Sequence, residues 1–252
     1  MTKTKLKPVD IIAPVITFVL LFVLWEVLVK ARDIPRWLLP APSNIITVMF
    51  SEFDAFAPHI LMTFETVLTG FVIAVPVGIL CAALLINFRL LNDALSPYII
   101  FLVTTPLITL VPLLMLWMGY GMEVRVVTVI IQSFAIVNLN AFTGFVNVPV
   151  IRLELMQSLG ANKIQAFVRV ILPTAAADVF TGIRLAAIFA TTACITAEYV
   201  GGNVGLGSQI IKYSQFLKTT QSFACIFFVA VVGLAMYALI SIIEKRVISW
   251  KI

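Results

Sequence analysis

Charge is scarce in this chain. Asp, Glu, Lys and Arg make up 12% of its 252 residues, about half the share of a soluble domain. That is too little polar surface for a water-exposed globule of this length. Histidine is nearly missing. His59 stands alone, which excludes a His-based cluster, so no metal site is expected. The three cysteines, Cys81, Cys194 and Cys225, lie in apolar stretches at no metal-ligand or redox spacing. They read as small hydrophobes in helix packing. No Gly-x-x-x-x-Gly-Lys-[Ser/Thr] phosphate loop occurs. The Gly-rich stretch from Gly201 to Ser208 has no Lys before its Ser. The chain is therefore not expected to hydrolyse ATP alone. No nucleophile and base pair stands at motif spacing, so no catalytic residue and no cofactor of its own are expected. The net charge of +5 does not point to nucleic acid, because the basic residues sit at segment ends without aromatic interleaving.

What the sequence has is apolar length. Hydrophobic residues make up 62%, and mean hydropathy is +1.11. Stretches at about 11–30, 60–86, 94–118, 124–146, 175–198 and 222–243 reach the ~20 residues that cross hydrocarbon. Six spans in one membrane domain, 1–252, are predicted. The first run is longer than the ~7–15 apolar residues of a signal peptide, and no small-residue cleavage site follows it, so it reads as a retained span. Between the first two spans, Ser43 after Pro42 reads as the N-cap of a helix to Phe56. Ile46, Met49, Phe50 and Phe53 fall there at helical spacing, as in a helix lying on a membrane surface. With the N-terminus in the cytoplasm, the inner side holds Lys3, Lys5, Lys7, Arg89, Arg152, Lys163, Arg169, Lys245, Arg246 and Lys251. The outer side holds Lys30, Arg32, Arg36, Arg125, Lys212 and Lys218. That excess places both termini in the cytoplasm.

The longest inner loop, 147–174, is bracketed by Pro149 and Pro173. Ile151, Leu155 and Leu159 recur every fourth position. Gly160 then breaks the helix. Ile164, Phe167, Val168 and Ile171 form a second helical stripe. Two short helices meeting at a turn are predicted, shaped to dock in a groove of another protein.

This loop resembles the cytoplasmic loop of binding-protein-dependent ABC importer permeases. That family's pattern is Glu-Ala-Ala, three residues, Gly, nine residues, then Ile-x-Leu-Pro. The matching positions are Glu154, Leu155 and Met156, then Gly160 followed by Ala161, then Val170, Ile171, Leu172 and Pro173. The departures from the pattern, Leu155, Met156 and Val170, are apolar for apolar. Further matches are similar to the nitrate, sulfonate and taurine branch: Leu39 to Ser43, Thr105 to Leu113, Leu116 to Gly121, Thr181 to Arg184, Ala197-Glu198 and Gly205 to Gly207. Glu65 departs from it, standing where family members often carry a basic residue. The resemblance implies an all-α membrane protein of six transmembrane helices, a type I ABC importer permease fold with cytoplasmic coupling helices. It implies a bacterial inner-membrane location and a homodimeric pore. The implied partners are a cytoplasmic ABC ATPase dimer, which binds ATP and Mg, and a periplasmic or lipid-anchored substrate-binding protein. The implied cargo is a small anion such as nitrate, a sulfonate, taurine or an aromatic carboxylate, with a thiamine-type precursor as the alternative.

Ionisable groups within spans are costly and often functional. Glu26, Glu65, Arg184 and Glu198 are the candidates. Glu198 opens the outer Gly-rich loop and is expected to structure an outer gate. Arg184 is placed to snorkel toward the cytoplasm. Thr104, Thr105 and Thr109 with Gln132, Asn138 and Asn140 either line a polar path or join helices by hydrogen bonds. Pro76, Pro106 and Pro112 interrupt backbone bonding, so the third span is expected to bend beside the pore. Two rival readings remain at this stage. One is an ion-coupled secondary transporter using Glu65 or Glu198, which calls for paired repeats that the sequence does not show. The other is a structural membrane protein without transport.

Overall fold

A computed structural model describes residues 8–248. Lys3, Lys5, Lys7 and Lys251 of the charge argument lie outside them. The described chain is helical. α1 (Pro8–Ala31), α2 (Pro42–Ser51), α3 (Phe53–Asn87), α4 (Arg89–Thr104), α5 (Leu107–Met118) and α6 (Met122–Val146) precede the long loop. α7 (Val150–Ser158), α8 (Lys163–Ala166), α9 (Leu172–Gly201), α10 (Leu206–Gln215) and α11 (Thr219–Val247) follow. Five helices are long and apolar enough to span a membrane, six if the bent pair α4–α5 counts as one.

Helices in hydrocarbon gain little from burying leucine, because lipid is as apolar as leucine; close backbone approach takes over. Gly70, Ala74 and Gly78 recur every fourth residue of α3 and are buried. A Cβ on Gly70 would lie 2.6 Å from Val129 Cγ1 of α6, and one on Gly78 would lie 3.1 Å from Val137. Across α6, Gly144 faces Asp178 and Gly182 of α9 faces Asn140. α6 is thus clasped between α3 and α9, with Val67, Phe71, Val137, Phe145, Val179 and Ile183 filling the remaining space.

α1 is peripheral. Only 6% of its apolar window is buried. It is held by ring contacts, Phe22 to Phe227 at 6.0 Å and Trp25 to Phe223 at 5.8 Å. Glu26 supplies the other tie, and here the expectation for Ser43 is corrected. The N-cap of α2 is Ala41, with Pro42 in the first turn, where its fixed φ suits the helix and its missing N–H costs nothing. Ser43 instead donates its amide (3.0 Å) and hydroxyl (2.7 Å) to the Glu26 carboxylate, which also pairs with Lys30. An α1 side chain therefore caps α2. The helix expected to run to Phe56 breaks at Glu52. Of its stripe, Ile46, Phe50 and Phe53 stay exposed and Met49 is half-buried against the bundle, into which Ile45 and Phe56, outside the stripe, turn fully.

The third span is bent as expected, and more sharply than a kink: α4 and α5 meet at 104°. Thr105 is extended (φ −75°, ψ 124°), the conformation forced on a residue before proline. Pro97, Pro112 and Pro76 lie inside helices that continue through them.

Pro173 does not end a helix as the bracketing suggested. Residues 163–201 run on as one helical stretch, with a π turn at Phe167–Ile171 immediately before Pro173. The wider turn accommodates a residue that has no amide to donate.

Gly70→Leu is expected to lower stability by about 1–3 kcal/mol through overpacking, read as a fall in thermal midpoint of the purified chain in detergent. Val72→Leu, on the exposed side of α3, leaves the midpoint unchanged.

Candidate functional site

Three features carry chemistry. The first is the loop around α7 and α8. α7 ends in a Schellman arrangement: Ala161 N–H reaches the Met156 carbonyl at 3.0 Å and Gly160 N–H the Gln157 carbonyl at 2.9 Å. Gly160 has φ +74°, which a side-chain-bearing residue adopts only with strain. α8 opens two residues later with a reciprocal capping box. Gln165 N–H donates to Asn162 Oδ1 (2.8 Å) and Asn162 N–H to Gln165 Oε1 (3.0 Å). Arg152 donates to Thr174 Oγ1 at 3.0 Å, tying α7 to the start of α9. The loop is a fixed elbow. Its apolar stripes part company: Phe167 packs edge-on to Phe145 at 5.2 Å, and Val170, Ile171 and Leu172 join the core. Ile151, Leu155, Leu159 and Ile164 stay 60–75% exposed. Glu154 is exposed beside them, while Met156, Ala161 and Pro173 are half-buried.

The second feature lies at the opposite end of the bundle. Glu198 is fully buried. Its carboxylate accepts the Gly207 amide at 2.7 Å and the Thr63 hydroxyl at 2.9 Å. Thr63 Oγ1 in turn accepts the Leu206 amide at 2.9 Å. His59 Nδ1 accepts the Gly205 amide at 3.2 Å. Three side chains from α3 and α9 thereby take up the orphan amides at the start of α10. Arg125, itself buried, closes the loop from α6 by donating to the Val204 carbonyl at 3.1 Å. Gly205 has φ +106°, and a Cβ there would overlap the Glu198 carboxylate. The arrangement fixes the Gly-rich loop; it is a clamp built from four helices.

The third feature is a cavity of about 330 Å³ at the α4–α5 break, walled by Thr105, Gln132, Thr192 and Thr196 among others. Of the polar-path candidates, the structure brings Thr104, Thr105 and Gln132 together here. Thr109 bonds back to the Pro106 carbonyl at 2.7 Å. Asn138 is 1% exposed and donates to the Gly78 carbonyl of α3 at 3.2 Å, a helix-to-helix bond. Glu198 sits in the clamp. Arg184 pairs with Glu244 of α11 at 3.1 Å, a partner that the sequence reading did not name. Glu65 is exposed on the face of α3 turned away from Thr63 and Thr66.

The Asn162 capping box was legible as Asn-x-x-Gln before an apolar stripe. The roles of His59, Thr63 and Arg125 were not. Their partners lie 79 to 146 residues away along the chain, and no local spacing marks them.

Glu198→Ala strands the Gly207 amide and the Thr63 hydroxyl, each costing about 1–3 kcal/mol when buried without a partner. Hydrogen exchange of the Gly205–Gly207 amides is expected to speed up in this variant and in Thr63→Val, with the α7–α8 amides unaffected. Unchanged exchange in both variants would remove the clamp.

Comparisons with known proteins show the family and the fold. Residues 74–249 match the family model described as binding-protein-dependent transport system inner membrane component. The formylaminopyrimidine transport permease ThiX of Halalkalibacterium halodurans is 28% identical over 94% of this chain and 95% of that protein. The taurine transport permease TauC of Escherichia coli is 24% identical over 93% and 88%. Among solved structures, an amino acid ABC transporter is similar with TM-score 0.65, 21% identity and coverage of 79% of this chain and 97% of that one. An inward-facing MetNI methionine ABC transporter is similar with TM-score 0.59, 20% identity and coverage of 78% and 94%. With the long helices, the stapled loop and the family match over most of its length, the chain belongs to the binding-protein-dependent transport system inner membrane components, the permease subunits of ABC importers.

Proposed function

We propose that two copies of this chain form a pore, each gripping a subunit of a cytoplasmic ATPase dimer through α7 and α8. The observation that carries this is the elbow itself. Ile151, Leu155, Leu159 and Ile164 present bare apolar surface on helices whose ends are locked by the Schellman turn, the capping box and the Arg152–Thr174 bond. A rigid apolar projection suits a groove in a partner and transmits that partner's motion. ATP and Mg belong to the partner. Closure of the ATPase pair would drive the elbows together and turn the pore outward, and hydrolysis would reset it. Both termini and the elbow face the cytoplasm, as the excess of Lys and Arg on that side favours. The clamp end then faces a substrate-binding protein. The exposed Glu65 carboxylate also fits a second copy or a water-filled path beside α3, because hydrocarbon tolerates such a group poorly.

The cargo is a small solute handed over by that binding protein. A small anion is one reading, supported by the similarity to taurine and aliphatic sulfonate permeases. A thiamine-type precursor is the other, supported by the 28% identity to a formylaminopyrimidine permease.

The test is co-expression with the candidate ATPase. Wild type is expected to co-purify with it and to support solute-stimulated ATP hydrolysis. Leu155→Asp with Leu159→Asp still inserts in the membrane, yet is expected to lose about tenfold or more of the bound ATPase, each buried charge costing several kcal/mol. An ATPase retained by the double variant would remove the elbow as the grip.

A further inference from the structure

The polar wall of the cavity at the α4–α5 break consists of Thr104, Thr105, Gln132, Thr192 and Thr196. A threonine hydroxyl has one proton and two lone pairs. Thr105 gives its proton to the Phe101 carbonyl at 2.7 Å. Thr104 gives its proton to the Ile100 carbonyl at 3.1 Å, and Thr196 to the Thr192 carbonyl at 2.9 Å. Those three oxygens therefore offer a solute lone pairs alone. α4 also ends here, and the carbonyls of a last helical turn lack intrahelical partners. Donors are fewer: the Gln132 carboxamide, the Thr192 hydroxyl and the first amides of α5. No charged residue lines the cavity, so no side chain there neutralises an anion, and the carbonyl end of α4 opposes the amide end of α5; entry of an anion into such a site is costly.

We propose that this cavity is a transit site for a small solute that donates hydrogen bonds, an amine or amide on a compact ring, and that it disfavours simple anions. Phe189, 44% exposed, offers a flat apolar wall for such a ring. A volume of about 330 Å³ lies at the lower end of ligand pockets, the size for a single ring. This inference rests on the pore reading, and it chooses between the two cargo classes on the chain's own chemistry.

The test uses the purified full chain in detergent and needs no ATPase, so it fails or succeeds independently of the co-purification above. In a Cys81→Ser background, Thr192→Cys and Thr196→Cys are modified with three methanethiosulfonates bearing an ammonium, a trimethylammonium or a sulfonate group. Rates are divided by those at Asn203→Cys on the exposed loop. The ammonium reagent, the one with N–H donors, is expected to lead the other two by about tenfold, the scale of one hydrogen bond to a charged group. Adding Gln132→Leu reduces that lead. A lead for the sulfonate reagent would make the cavity an anion site and overturn the proposal. Equal rates for the ammonium and trimethylammonium reagents would show that charge, not donation, is read, and would overturn it as well. No reaction with any reagent would show a cavity closed to water and therefore off the path.

Discussion

In hydrocarbon every backbone amide and carbonyl needs a partner from the protein, and the fold is arranged around that demand. Several places where a helix starts, stops or breaks carry their own solution. Glu26 reaches from α1 to the Ser43 amide in the first turn of α2. Glu198, Thr63 and His59 take up those of α10. A π turn makes room for Pro173. At the α4–α5 break, Thr104 and Thr105 turn their hydroxyls back on α4 carbonyls.

These solutions differ in reach, and the difference divides the molecule. At the elbow most partners are three to five residues apart, with Arg152–Thr174 the longer tie, so the loop holds its shape largely from local bonds while presenting an apolar face. The clamp is the reverse. Glu198 is buried with Arg125 nearby, on helices that small residues bring close together. Gly70 against Val129 and Gly182 against Asn140 set the spacing of α3, α6 and α9, and only at that spacing do Thr63, Arg125 and Glu198 meet one loop. Small-residue packing and polar satisfaction are one device seen from two sides.

The cavity follows from the same demand. Breaking a span at Pro106 frees backbone groups, and freed groups are tolerated only where protein or water receives them. Thr104 and Thr105 bond back to the Ile100 and Phe101 carbonyls, which fixes the direction of their hydroxyl protons. The cavity's hydrogen-bonding character follows in this sense from the break. The apolar wall from Phe189 adds shape.

Composition and run length determined a helical membrane protein, because charge at 12% cannot cover a soluble surface. The spacing from Glu154 through Gly160 to Pro173 determined the elbow, because turn and capping chemistry act over a few residues. The bend near Pro106 was legible for the same reason. Tertiary structure decided what depends on distance in space. It gave Ser43 to Glu26 rather than to its own helix, carried the helix through Pro173, and put Asn138 against Gly78 and Arg184 against Glu244. It gathered Thr105 with Gln132, Thr192 and Thr196. Side chains far apart in sequence meet only once helices have chosen faces, and in a membrane that choice rests on where small residues let backbones touch.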